Sequence, residues 1–137
     1  MDEFVIDVSM CMPWCCEDEA TASSERLLQL AADRHPLHVP SLWPWEMMNA
    51  LAVAGRRQRI SAAHAANFFA LLPDFDFRIE APPGVLDLPR LNTLALRHHL
   101  TAYDAAYLEL AMRRSLPLAT LDEDLKKAAV AEGVLAL

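Results

Sequence analysis

The stretch LTAYDAAYLELAMRRSLPLATLDEDL, residues 100–125, constrains the fold of this chain more than any other segment. Thr101 suits the N-cap of a helix, and Asp104 lies three residues later, where a capping box places an acid. Asp104 and Tyr107 belong to a stripe at helical spacing. The apolar run at residues 116–120, with a proline near its start, is typical of a buried parallel strand. The segment therefore predicts a helix, a buried strand and the start of another helix.

Acidic residues follow this predicted strand directly. Asp122, Glu123 and Asp124 stand at its carboxyl end. In open α/β sheets, binding sites form at that edge. We therefore predict that Asp104, on the preceding helix, and the acids beyond the strand line one cleft.

Length and composition predict one globular domain, residues 1–137. The chain has 137 residues, of which 54% are hydrophobic, enough for a sizeable core. Its acidic start lacks the basic region of a signal peptide, and the sequence contains no apolar run long enough to span a membrane. We expect a cytoplasmic protein. The formal charge of −7 disfavours passive binding to nucleic acid, so acids that act on a phosphodiester would need a cation to screen them.

Strands and helices are predicted to alternate along the whole chain. Strands are predicted at residues 3–8, 37–39, 75–80 and 116–120, with residues 134–137 as a candidate for one more. Helices are predicted between them and at residues 123–132, the first over 10–16 with a break or bend near Pro13. This order implies the α/β class, with a central, mainly parallel sheet between layers of helices.

Asp7 stands near the end of the first predicted strand. Apolar neighbours suggest a central strand, where a carboxylate is costly unless it is paired or bound to metal. The alternative is that Asp7 caps the next helix. Ser9 would share that cap or donate a hydrogen bond to a carboxylate.

Glu46 and Asn49 lie three residues apart on a largely apolar helix and share one face. Polar groups in such surroundings need a partner, but an exposed pair on the wet side of the helix fits the pattern equally well. The helix ends in a basic cluster, Arg56, Arg57 and Arg59. These arginines either complement the helix dipole or form a patch that contacts phosphate groups.

The cysteines and tryptophans can be interpreted as core residues. Cys11, Cys15 and Cys16 crowd into one segment without a second cluster to pair with, so we interpret them as small buried hydrophobic residues. Three tryptophans are either core residues or an anchor surface for a partner: Trp14, Trp43 and Trp45.

Four acids arise from separate segments whose motifs contain no Lys or Arg: Asp7, Glu46, Asp104 and Asp122. Carboxylates that lie close together repel one another, so their pKa values should be raised, or a cation should bind. Hard oxygen ligands favour Mg²⁺ or Mn²⁺ over zinc. Such ions activate water and stabilise the leaving oxygen in phosphodiester hydrolysis.

The sequence resembles the PIN domain, and in particular the VapC-type toxins of bacterial toxin–antitoxin pairs. The resemblance rests on VIDVS at residues 5–9, the helix with Glu46 and Asn49, LTAYDAAYLELA, LPLATLDEDL and the closing GVLAL. It implies that the same four acids bind Mg²⁺ and form the nuclease site. The supporting residues that it implies are Ser9, Asn49, Thr120 and Asp124.

The resemblance also implies a compact α/β/α fold and endoribonuclease activity through a metal-activated water. It further implies a homodimer and inhibition by a small antitoxin protein. A basic residue of that partner would suit a site rich in carboxylates. The alternative is an interaction protein that keeps the fold without catalysis.

Overall fold

The structure is a computed structural model that describes residues 2–137. Its strands are β1 (Phe4–Ile6), β2 (Leu37–Val39), β3 (Phe77–Ile79) and β4 (Leu118–Ala119). Its helices are α1 (Val8–Cys15), α2 (Ala22–Ala32), α3 (Trp43–Arg56), α4 (Ala62–Leu71), α5 (Leu88–Arg97), α6 (Ala102–Arg114) and α7 (Glu123–Ala131). The predicted alternation of strands and helices is confirmed.

All four strands are parallel and lie in the order β3-β2-β1-β4. Because parallel crossovers are right-handed, the connections from β1 to β2 and from β2 to β3 lie on one face. The connection from β3 to β4 runs back across the sheet and lies on the other. In agreement with this, α1 packs against α2 and α3, whereas α6 packs on β1 and against α7. The predicted α/β class with a parallel central sheet is confirmed.

β2 and β3 are added on one side of β1, whereas β4 is added on its other side, so the strand order reverses between β1 and β4. Val5 pairs with Leu118 and Ile6 pairs with Ala119, and all four side chains are fully buried. A crevice forms at such a switch point, beyond the carboxyl ends of the two strands. The residues that follow β1 and β4 therefore face each other at this crevice.

The first helix differs from its prediction. It begins at Val8 and continues through Pro13 to Cys15, without the predicted break. The early start has a local cause, because the Asp7 side chain caps the helix by accepting from Met10 N. The missing N–H of Pro13 leaves the Ser9 carbonyl without its usual helical donor.

The interior is as apolar as the composition predicts. Cys11, Cys15 and Cys16 are all buried and unbridged, which confirms their interpretation as small hydrophobic residues. Burial raises the pKa of the Cys15 thiol to about 11.

Across residues 2–137, each helix is too short or too polar to cross a lipid bilayer.

The strands predicted at residues 75–80 and 134–137 are confirmed only in part. The strand predicted at residues 75–80 is shorter, Phe77–Ile79, and lies at the edge of the sheet. Residues 134–137 form only a single parallel bridge, between Leu118 and Ala136, with Leu137 N donating to Leu118 O at 2.9 Å.

Candidate active site

Asp7 lies directly after β1 and is only 6% exposed. Its Oδ1 accepts from Ser9 Oγ at 2.6 Å and from Met10 N at 3.1 Å. Its Oδ2 accepts from Thr120 Oγ1. Asp7 therefore caps α1, as one interpretation of the sequence predicted. A carboxylate offers about four acceptor positions, so these three contacts do not exhaust it.

Ser9 and Thr120 connect the ends of β1 and β4. Besides its bond to Asp7, Ser9 Oγ accepts from Leu121 N at 2.9 Å. Thr120 Oγ1, which is fully buried, accepts from Asp122 N at 3.0 Å. The two hydroxyls thus hold the Asp7 carboxylate on one side and the loop after β4 on the other. The structure places both supporting residues directly on Asp7.

Asp104 and Asp122 stand at the starts of α6 and α7. Thr101 Oγ1 accepts from Asp104 N at 3.1 Å, so the predicted N-cap of α6 is confirmed. Asp122 is exposed, and its Oδ1 accepts from Leu125 N at 2.9 Å, so it caps α7. Within the described chain, its second carboxylate oxygen makes no hydrogen bond.

The four acids share one structural property, because each lies at the N-terminal end of a helix. Asp7 caps α1, Glu46 lies in the first turn of α3, Asp104 in the first turn of α6, and Asp122 caps α7. The positive end of a helix dipole stabilises a nearby negative charge by about 0.3–1 kcal/mol. Four such ends reduce the cost of keeping four carboxylates around one crevice.

Glu46 is held by a residue that the sequence did not single out as a site residue. Tyr107 Oη donates to Glu46 Oε1 at 2.6 Å. Tyr107 lies three residues after Asp104 on α6, so the two share a helical face. That spacing was the only signal in the sequence, and it also fits an ordinary core position.

Burial and mutual repulsion both act on these carboxylates. Burial raises the pKa of Asp7, and the charge of Asp122 adds to this, while hydrogen bonds from Ser9 and Thr120 oppose it. Burial also raises the pKa values of Glu46 and Asp104, and the other acids raise them further. The sequence predicted raised values from repulsion, but burial is the larger cause in each case.

The potential metal ligands at this site are all carboxylate oxygens. Such ligands suit hard divalent cations and not soft metals that prefer thiolates. No ion pair within residues 2–137 includes Asp7, Glu46, Asp104 or Asp122. In the part of the chain that is described, no three His, Cys, Asp or Glu side chains lie close enough to hold a metal ion together. Thus the chemistry of the donors fits Mg²⁺, but the side chains stand apart.

Asn49 and Asp124 lie at the rim of the crevice. Both are exposed, and the charge of Asp124 contributes to the raised pKa of Asp104. Asn49 lies one turn after Glu46 on α3 and faces solvent. This matches the prediction of a wet helical face for Asn49, while Glu46 has a buried partner.

The basic cluster stands apart from the acids. Arg56 and Arg57 are exposed at the end of α3, about 15 Å along the helix from Glu46 at 1.5 Å per residue. Arg59 lies 3.4 Å from carboxylate oxygens of Asp18 and of Glu19. The dipole and solvation interpretation therefore accounts for these side chains.

The three tryptophans divide between the core and the surface. Trp14 is 9% exposed and Trp43 is 5% exposed, so both are core residues and the prediction of an anchor surface is wrong for them. Trp45 is 73% exposed and directly precedes Glu46. It remains a candidate contact for a partner.

Known proteins resemble the chain over most of its length. It is 29% identical to Ribonuclease VapC3 of Pyrobaculum aerophilum over 123 residues, which is 90% of this chain and 92% of that protein. Among solved structures, PAE2754 of Pyrobaculum aerophilum superposes with a TM-score of 0.71 at 24% identity, covering 98% of this chain and 83% of the other.

A second solved structure is VapBC2 of Rickettsia felis bound to a DNA fragment from their promoter. It has a TM-score of 0.66 at 12% identity and covers 98% of this chain and 97% of the other. At such identities, these two structures establish a common fold only. The PIN domain profile matches residues 4–131, which is nearly the whole chain. The chain therefore belongs to the PIN domain family.

Proposed function

We propose that this protein is a Mg²⁺-dependent (or Mn²⁺-dependent) endoribonuclease, a single PIN domain over residues 1–137. We further propose that it acts in the cytoplasm as the toxin of a toxin–antitoxin pair. One observation carries this proposal: Asp7, Glu46 and Asp104 lie around the switch point of the sheet, where burial and the charge of at least one neighbouring acid raise the pKa of each. Within residues 2–137 no ion pair compensates them. Similarity to a VapC ribonuclease supports RNA as the substrate.

The metal would be held by Asp7, Glu46, Asp104 and Asp122, with the carboxylates drawn closer together than they lie without it. When bound, the ion would supply an activated water and stabilise the leaving oxygen. Ser9 and Thr120 orient the Asp7 carboxylate through the hydrogen bonds described above. Asn49 and Asp124 would contact substrate or water at the rim.

The proposed activity is tested with a mixed RNA pool and the purified chain. We expect cleavage in millimolar Mg²⁺ or Mn²⁺, and none in excess EDTA. An added small protein encoded beside this chain should inhibit the reaction. Equal cleavage in EDTA would contradict the metal dependence. No cleavage in either metal would instead favour a PIN-fold interaction protein without catalysis.

An antitoxin partner is supported by the charge of the site and by one exposed aromatic residue. A cleft of carboxylates is a good receptor for Arg, which pairs with them bidentately. Trp45 lies beside Glu46 with most of its ring exposed, and aromatic residues of this kind are common binding hot spots. The VapBC2 structure of Rickettsia felis gives a fold-level parallel for such a complex.

A homodimer is supported by an apolar groove on the other side of α6. The groove has a volume of about 930 Å³ and lies between α5, α6 and the loop after β3. Beside it, Val85 and Leu86 are 82% and 96% exposed. Its cations are already paired, Arg90 and Arg113 both with Glu109. The groove therefore suits an apolar protein surface, and we propose a second copy of this chain.

Leu86→Glu should convert the homodimer into a monomer at micromolar concentration, because it places a charge in an apolar interface. The side chain is 96% exposed in the single chain, so the change should leave the melting temperature of the monomer nearly unchanged. Light scattering after size-exclusion chromatography measures the mass. Leu135→Glu, at a side chain 61% exposed and outside the groove, is the control and should stay dimeric. A dimeric Leu86→Glu variant would contradict this interface.

A further inference from the structure

Tyr107 is the largest fully buried side chain of the described core, at 1% exposure, yet it carries a polar group. Its hydroxyl donates to Glu46 Oε1 at 2.6 Å, the length typical of an O–H···O⁻ bond to an ionised carboxylate. Burial raises the pKa of Tyr107, and the hydrogen bond to Glu46 raises it further. The phenol therefore stays protonated and acts as a donor.

This bond joins two helices of the site, α3 and α6. Glu46 lies on α3 and Tyr107 on α6, 61 residues apart in sequence. Asp104 stands three residues before Tyr107, so one helix carries both an acid of the site and the partner of another acid. Within the described residues, this is the one hydrogen bond that the Glu46 carboxylate accepts.

Two of the other acids, Asp7 and Asp122, are held in different ways. Asp7 accepts from Ser9, Met10 and Thr120, and Asp122 accepts from Leu125 N in its own helix. The orientation of Glu46 depends on the single phenol, because its side chain is long and only half-buried. Without that donor the carboxylate is free to turn toward solvent.

We propose that Tyr107 is a positioning residue of the site, and that its hydroxyl holds the Glu46 carboxylate toward Asp7 and Asp104. The inference rests on the proposed nuclease function and adds Tyr107 to the residues that serve it. Its role is through Glu46 alone, since the phenol is buried and does not reach the crevice surface. Partners that orient the ligands of a metal typically change affinity or activity by about 10- to 100-fold when they are removed.

The chain provides a matched control for the test. It contains two tyrosines, both on α6, and Tyr103 is 64% exposed. We expect Tyr107→Phe to lower both kcat for RNA cleavage and Mn²⁺ affinity by about 10- to 100-fold. Tyr103→Phe should leave both unchanged. Mn²⁺ binding, followed by electron paramagnetic resonance or calorimetry on the full chain, is measured without RNA.

A double-mutant cycle with Glu46→Gln separates positioning from a general loss of packing. If Tyr107 acts through Glu46, then adding Tyr107→Phe to Glu46→Gln should reduce cleavage and Mn²⁺ binding no further. Equal behaviour of Tyr107→Phe and Tyr103→Phe would overturn the inference, and so would effects of Tyr107→Phe and Glu46→Gln that add fully. A wild type that cleaves no RNA would refute the proposed function, while the Mn²⁺ cycle would still decide the role of Tyr107.

Discussion

Asp7→Asn should reduce RNA cleavage at saturating Mg²⁺ by at least about 1000-fold, which corresponds to about 4 kcal/mol of transition-state stabilisation. The substitution removes one charge and little else. Asn caps helices about as well as Asp, and its Oδ1 can still accept from Ser9 and Met10, as Asp7 does. The Thr120 hydroxyl can rotate to accept from the new amide. The loss should therefore come from the metal site and not from the fold.

Two measurements make this result interpretable. Circular dichroism and thermal melting of Asp7→Asn should match the wild type to within a few degrees. Asp33→Asn is the matched control, because Asp33 is exposed at the end of α2 and, among residues 2–137, its carboxylate pairs only with the side chain of Gln29. Asp33 precedes β2, and so lies near the amino edge of the sheet, away from the crevice. Retention of more than a tenth of the activity by folded Asp7→Asn would remove Asp7 from the catalytic set.

Mg²⁺ should stabilise the wild type by about 2.7 kcal/mol when its concentration is 100 times the dissociation constant, through mass action on the folded state. Asp104→Asn should gain much less, because it removes one charged ligand from the set. Thermal melts in EDTA and in a Mg²⁺ series measure both gains. The Asp33→Asn control should respond as the wild type does. An equal Mg²⁺ response of Asp104→Asn and the wild type would show that Asp104 is not a ligand.

The same variant should reveal the cost of the Asp104 charge when no metal is present. The pKa of Asp104 is raised above 3.8 by burial and by Asp122 and Asp7, so the folded state binds more protons than the unfolded state between the ordinary and the raised value. Stability must then fall as pH rises through this window. At pH 7 in EDTA, Asp104→Asn should be more stable by about 0.5 kcal/mol, a small value because solvent screens a half-exposed group.

This difference should shrink as pH falls through the raised pKa of Asp104, because the protonated wild-type carboxyl resembles the neutral amide. Melts of both proteins from pH 7 to pH 4 in EDTA measure the trend. A difference that grows on acidification would contradict the raised pKa. A difference independent of pH would indicate a packing effect of the substitution and not the removal of a charge.

The order of the strands and helices could be predicted from the sequence, and so could the position of acids directly after β1 and β4. Alternating apolar segments require a buried sheet covered by helices, and this physical constraint is local. The N-cap of α6 at Thr101 could also be predicted, because its hydrogen bond from Asp104 N spans only three residues. Because strands in such a fold run parallel, residues after β1 and β4 had to meet at one edge.

How each side chain is held depends on contacts between distant segments, which the sequence did not predict. Thr120 reaches Asp7 across 113 positions of sequence, and Tyr107 reaches Glu46 across 61. The tertiary structure buries Trp14 and Trp43 but exposes Trp45, although all three lie in apolar segments. In the folded protein, burial raises the pKa values of Asp7, Glu46 and Asp104 more than repulsion between the acids does. The reason is that desolvation and long-range hydrogen bonds depend on which surfaces pack together, which local spacing does not specify.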